Sequence, residues 1–323
     1  MFKSYVAVGE FGELLEAQLA RWLRDLESTT NAPSSDGPVT ISAPTTTAGV
    51  TPAAPTPADP GFDYWIVEAG RLVEAEIPNH SGALFCAEKA SVAAHSDIEW
   101  AQANNLVGMA QLNLKNPHEA IAAFTAIVER FDSASDTNRL GLKALALVNK
   151  GITLGRLGRS EEEVAVYDEL VARFGSASEL PLREQVAIAL INKGYRFGQL
   201  GRNEEAVGVY DELVARFGSA SELPLREHVA MALVNKGTRL GQFGRSEEEV
   251  AVYDEVVARF GSASELPLCE ALARALVNKG YRLGQLGRSE EAIAVYDEVV
   301  ARFGSASELP LRERVARALV NKG

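Results

Sequence analysis

Residues 181–223 read PLREQVAIALINKGYRFGQLGRNEEAVGVYDELVARFGSASEL, and two apolar stripes run through them. Val186, Leu190, Gly194 and Phe197 recur at spacings of four, four and three, the period of a helix face and not the alternation of a strand. Ala206, Tyr210, Leu213 and Phe217 follow at four, three and four. Pro181 suits a first helical turn, where its missing N–H would have gone unpaired, Gly201 interrupts the first stripe, and Asn203 opens the second. The stretch therefore predicts a helix A over residues 181–200 and a helix B from 203 to near 218. Gly194 and Gly198, four apart, cost helix A about 1 kcal/mol each relative to alanine, so a neighbouring helix is expected to pack where a side chain would not fit.

Working outward, the same wording returns. The glycine that closes each NKG stands at 151, 194, 237, 280 and 323, a period of 43 residues, and one period earlier Gly108 lies in the drifted segment NNLVGMAQLNLKNPHEAIAAF. Self-similarity at a fixed period of this length marks a solenoid, because one hairpin cannot enclose its own stripes and must bury them against the next. In two sister copies helix B opens on a predicted capping box, Ser160 with Glu163 and Ser246 with Glu249. Residues 61–96 read as another helix pair that matches the repeat poorly, as a terminal cap would, and the array proper is expected over 97–323. The last copy stops inside helix A and leaves Val315 and Leu319 without a helix B. Since solenoids need polar end caps, the expectation is that the chain is an excerpt of a longer reading frame.

Ahead of the array, residues 10–26 place Phe11, Leu15, Leu19, Trp22 and Leu26 on one stripe, a single amphipathic helix that must dock on something to bury it. Residues 27–60, rich in Ser, Thr, Pro and Ala, read as a linker with a reach of about 30 Å. With 323 residues, 46% of them hydrophobic and 24% charged, the chain can build a core, and its formal charge of −12 argues against nucleic acid or an anionic membrane as partner. Basic or neutral partners suit it better. The start lacks the charged and apolar regions of an export signal, and no run of residues approaches the length of a membrane span. Two distant cysteines, Cys86 and Cys269, space neither a disulfide framework nor a metal site and point to a reducing cytoplasm.

The small and aromatic positions of the repeat resemble those of the tetratricopeptide repeat: Gly280 in helix A, Gly287 at the turn, Ala292 in helix B and Tyr296 at the large aromatic place. Gly194, Gly201, Ala206 and Tyr210 match likewise, as do Gly108, Ala120 and Phe124. The resemblance implies an all-α, right-handed superhelical solenoid of antiparallel helix pairs, with helix A lining a concave groove in which peptides lie. Three features depart from the family. The period exceeds the usual repeat by the stretch GSASELPLR, Lys279 and its equivalents replace a large apolar residue, and Gly304 with its equivalents stands where proline often ends helix B. The stretch YVAVGEFGELLEAQLARWL near the start resembles the closing helix of an uncharacterised bacterial domain found ahead of repeat arrays in signalling and defence proteins.

In that groove the chain would present a ladder of Asn192, Asn235 and Asn278, then Tyr195, Thr238 and Tyr281, then Gln199, Gln242 and Gln285. The amides can bond an extended peptide and the tyrosines cover its side chains, or the asparagines bond between neighbouring helices. Asp297, Glu298 and their counterparts read as a solvated face, and Cys269, in place of an arginine found in three sister copies, as neutral drift. His80, His95, His118 and His228 have no metal spacing, and no phosphate loop, paired carboxylates or Ser-His-Asp pattern occurs, so neither catalysis, a metal nor a cofactor is expected. The expected function is a scaffold that binds a protein or peptide segment. Its alternative is the sensor or regulatory arm of a larger bacterial signalling or defence effector. The bare last helix could also stack on a second copy.

Overall fold

The computed structural model describes residues 60–75 and 78–323. The amphipathic helix read at residues 10–26 lies outside them, as does the linker read at 27–60 except for Pro60. Among the described residues there are thirteen helices and no strand. They fall into two compact units, one ending at Ile127 and one from Val128 to Gly323.

In the first unit α1 (Phe62–Glu74) packs on α2 (His80–Ala93), which packs on α3 (Asp97–Asn113). The contact faces are rich in small residues: Ala69, Ala83, Ala87, Ala90, Ala101 and Ala103 are all buried. Side chains close the helix starts, with Asn79 accepting from the Gly82 amide at 2.9 Å and Ser96 from the Glu99 amide at 3.2 Å. The helix α4 (Pro117–Arg130) lays the Phe124 ring over Gly108 of α3, where an added Cβ would lie 2.5 Å from the ring.

The second unit is the regular array. Four hairpins follow one another: α5 (Thr137–Arg156) with α6 (Ser160–Phe174), α7 (Leu180–Gln199) with α8 (Asn203–Phe217), α9 (Leu223–Gln242) with α10 (Ser246–Phe260), and α11 (Leu266–Gln285) with α12 (Ser289–Phe303). The last helix, α13 (Leu309–Lys322), packs on α11 and α12. Helix A starts at Leu180, one residue before Pro181, because Glu179 ahead of it is extended. It ends at Gln199, and the turn that follows runs through Gly201, whose φ of +73° favours glycine; Gly158, Gly244 and Gly287 repeat that turn.

Within each hairpin the close approach is that of a ring to a backbone. Tyr167, Tyr210, Tyr253 and Tyr296 lie over Gly151, Gly194, Gly237 and Gly280, and a Cβ on Gly194 would stand 2.6 Å from the Tyr210 ring. The second glycine serves the neighbouring repeat, since Gly155, Gly198 and Gly241 leave room for the guanidinium groups of Arg196, Arg239 and Arg282.

Polar ladders then tie each repeat to the next. Lys193, Lys236, Lys279 and Lys322 pair with Asp168, Asp211, Asp254 and Asp297 on the preceding helix B. The aspartates read as a solvated face are thus the anionic half of an inter-repeat ladder, which also accounts for the unusual lysine. Arg216, Arg259 and Arg302 donate to the carbonyls of Gly175, Gly218 and Gly261 at 2.9, 3.0 and 2.6 Å. Arg183 and Arg226 reach Glu222 and Glu265, but at the next junction Cys269 gives its thiol to the Ala263 carbonyl, and Glu308 has no arginine at the corresponding place.

The capping boxes do not form. Ser160 and Ser246 are already the first helical residues, behind Arg159 and Arg245, with no side-chain cap. These arginines instead grip Glu162 and Glu248, and the glutamates expected to reach back, Glu163 and Glu249, are buried. Their side chains have turned toward the next repeat.

Two glycines test this packing. Gly194→Ala should destabilise the array by about 2 kcal/mol, because overpacking against Tyr210 outweighs the gain in helix propensity. Gly208→Ala, in α8 with nothing within 4 Å of its would-be Cβ, should stabilise it by up to about 1 kcal/mol. Thermal unfolding of both variants reads the two opposite shifts. Cys269→Arg should restore the missing pair with Glu308 and raise stability by about 0.5 kcal/mol, an effect that added salt erodes.

Candidate functional site

In the second unit each helix A packs its backbone close to the helix A of the next repeat, whereas successive helices B meet through long side chains, such as Arg216 at the Gly175 carbonyl. This unit therefore curves with its helices A on the inner side. The sequence-predicted ladder lies on those helices, and its three rungs differ in setting.

The asparagines face the preceding helix B. Asn192 is buried beside the Tyr167 hydroxyl, Asn235 is half-buried beside Tyr210, and half-buried Asn278 donates to the Tyr253 hydroxyl at 3.4 Å. The glutamines Gln199, Gln242 and Gln285 are exposed. Between them Tyr195 and Thr238 are half-buried, and Tyr281 is 52% exposed. Gln199 and Gln285 donate to the hydroxyls of Tyr195 and Tyr281 at 2.9 and 2.8 Å, which joins those residues in pairs. Thr238 breaks the series by turning its hydroxyl back to the Val234 carbonyl at 3.0 Å.

Between the rungs runs a polar chain that the sequence reading missed. Asn278 donates to Tyr253, Tyr253 donates to Glu249 Oε1 at 3.2 Å, and Glu249 accepts from Arg282 Nε. Arg282 Nη1 in turn donates to Gln285 Oε1 at 2.6 Å, so the chain runs from a half-buried amide to the surface. The ion pair recurs two junctions earlier, between Glu163 and Arg196. Burial raises the carboxyls of Glu163 and Glu249 above their ordinary value, desolvation outweighing the pull of each arginine. It also pushes the hydroxyls of Tyr167, Tyr210 and Tyr253 up, so these remain neutral donors.

At the middle junction the pattern fails on one side only. Arg239 is present, but Ala206 occupies the place of Glu163 and Glu249. Arg239 lies over Gly198 beside the Tyr210 hydroxyl and donates through Nη1 to Gln242 Oε1 at 2.8 Å, while its buried Nε meets no acceptor. The readable signal was the alternation of Glu163, Ala206, Glu249 and Ala292 against an unvarying arginine at 196, 239 and 282.

The comparisons with known proteins agree with this geometry. Sequence profiles described as tetratricopeptide repeat match residues 105–178 and 273–302. The chain is a tetratricopeptide-repeat protein. Among solved structures, the array is similar in fold to a signal transduction ATPase with numerous domains (STAND) and a tetratricopeptide repeat sensor from Pyrococcus horikoshii. That match has a TM-score of 0.59 at 13% identity and covers 81% of this chain and 38% of the other. It is also similar to RapI in its apo form, with a TM-score of 0.54 at 9% identity, covering 81% of this chain and 74% of that one. No curated protein matches by sequence. The tetratricopeptide repeats of this chain thus carry Glu–Arg pairs at two junctions, on either side of one where Ala206 replaces the glutamate.

Those pairs carry a pH signature. An acid whose folded pKa is raised favours the folded state below its unfolded value of about 4.5, and that contribution is lost as pH rises through the folded value. Replacing both Glu163 and Glu249 by glutamine removes the titration. The stability of the wild type relative to that variant should therefore fall as pH is raised from about 4.5 to about 7.5, read as the difference between their urea midpoints. A difference that stays constant over this range would show that the two carboxyls titrate as in the unfolded chain.

Proposed function

We propose that this protein is a non-catalytic scaffold that holds an extended peptide or protein segment along the inner side of its tetratricopeptide array. The observation that carries this reading is the periodic row of exposed and half-exposed groups on successive helices A. Tyr195 with Gln199, Thr238 with Gln242 and Tyr281 with Gln285 recur on one face, each rung one repeat from the last. Amides offer both donors and acceptors to a peptide backbone, and phenol rings cover apolar side chains at low entropic cost. Asn278 contributes from behind by donating to the Tyr253 hydroxyl of the preceding helix B. The free cysteines Cys86 and Cys269 agree with a reducing, cytoplasmic setting.

A second reading is that the array is the sensor arm of a larger protein. The likeness in fold to the STAND ATPase with its tetratricopeptide sensor, of which this chain spans 38%, favours it.

Panning a random peptide library against the protein tests the scaffold reading. Enriched peptides should lose at least about tenfold in affinity for a variant carrying Gln199→Ala, Gln242→Ala, Gln285→Ala and Tyr281→Ala, with helicity unchanged. Equal affinity for that variant would remove the ladder as the binding surface.

A further inference from the structure

The first unit carries an aromatic cluster that its own packing leaves uncovered. Trp65 of α1 stands edge-on to Tyr64 on one side, with ring centroids 5.0 Å apart, and to Phe85 of α2 on the other, at 5.9 Å. Tyr64 and Phe85 are both more than half exposed. Val92, seven residues after Phe85 and so on the same face of α2, is 87% exposed, and the Lys89 ammonium lies 5.7 Å over the Phe85 ring. The other faces of the two helices are closed by Ile66, Ala69, Ala83, Ala87 and Ala90. One exposed apolar residue is ordinary, but three neighbouring rings and a valine form a surface that gains by leaving water.

The sequence ahead of α1 holds a stripe of matching character. Phe11, Leu15, Leu19, Trp22 and Leu26 follow one another at four, four, three and four residues, and a helix of that pattern gains its stability from the surface that takes its apolar face. The described residues start at Pro60, four before Tyr64, so the tether between stripe and cluster begins at the edge of the cluster itself. Its reach of about 30 Å exceeds the length of α1, about 20 Å for 13 residues, and so covers the whole patch. Such a tether holds the segment at an effective concentration of about millimolar, so an intrinsic dissociation constant as weak as about 0.1 mM leaves about tenfold more of it docked than free. Charge agrees, since Glu10, Glu13 and Glu16 lie in the first half of the segment and Lys89 lies over the patch.

We propose that residues 10–26 fold back as an amphipathic helix onto the cluster of Tyr64, Trp65 and Phe85 and close the outer side of the first unit from within the same chain. Residues 27–60 are then the loop between two packed elements, and release of the segment bares three aromatic rings at once. The proposal is independent of what the inner side of the second unit binds.

Amide hydrogen exchange of the full chain tests it. In the wild type the amides of residues 10–26 should exchange at least about tenfold more slowly than in a variant carrying Tyr64→Ser and Phe85→Ser, while the amides of α3 exchange alike in both and report that the first unit is still folded. Leu19→Asp leaves the sequence of α1 and α2 untouched and should speed the exchange of their amides by uncovering the patch. The protection should also survive dilution by about a hundredfold, as an intramolecular contact does. Protection that fades on dilution would place a second copy on the patch. Protection that persists in the serine variant would place the segment elsewhere, and unprotected amides in the wild type, or no response of α1 and α2 to Leu19→Asp, would leave the patch to another protein. Each of these results overturns the proposal.

Discussion

The array depends on an aromatic ring lying flat against bare backbone. Tyr210 over Gly194, with its counterparts in every hairpin, sets how near helix B comes to helix A, and that distance decides what the hairpin can offer its neighbour. The ring is wholly buried and excludes any residue larger than glycine opposite it. The cost of two glycines in each long helix is offset by the burial of a whole phenol ring, worth more than the propensity lost.

Once that spacing is fixed, the junctions between repeats follow as ladders of polar groups. Most of these are half-exposed pairs, each of small value alone. Their effect lies in register: Lys236 on Asp211, Arg183 on Glu222 and Arg259 on the Gly218 carbonyl hold one junction at three separate points. A rotation of one hairpin against the next would break all three. The buried pairs Glu163–Arg196 and Glu249–Arg282 differ in kind, because both partners have given up water, and they link the packed interior to the glutamines at the surface.

The helices, their turns and the ring-on-glycine positions were legible in the sequence, because period and residue size report directly on burial. Side-chain direction was less so. Glu163 carries the spacing of a capping box from Ser160, yet its carboxylate turns away to Arg196, a residue in the next repeat whose attraction no local pattern reveals. Asp168 looked solvated for the same reason: its lysine comes from another hairpin. Among the ladder residues, the sequence placed Gln199 and Tyr195 on one helix face but could not show that Asn192, on the same helix, leans on Tyr167 of the hairpin before it. What was hidden in each case was a contact between repeats.

The alternation of glutamate and alanine makes otherwise interchangeable copies unequal. Near-identical stretches of coding sequence misalign easily, and an unequal exchange deletes or adds one whole repeat. Loss of residues 203–245 would join α7 directly to α10 in the same helical phase, keep both Glu163–Arg196 and Glu249–Arg282, and erase Ala206 and Arg239 in one step. A change of one whole repeat would thus remove or duplicate the junction at which Arg239 faces Ala206 while keeping the ring-on-glycine packing of the remaining hairpins.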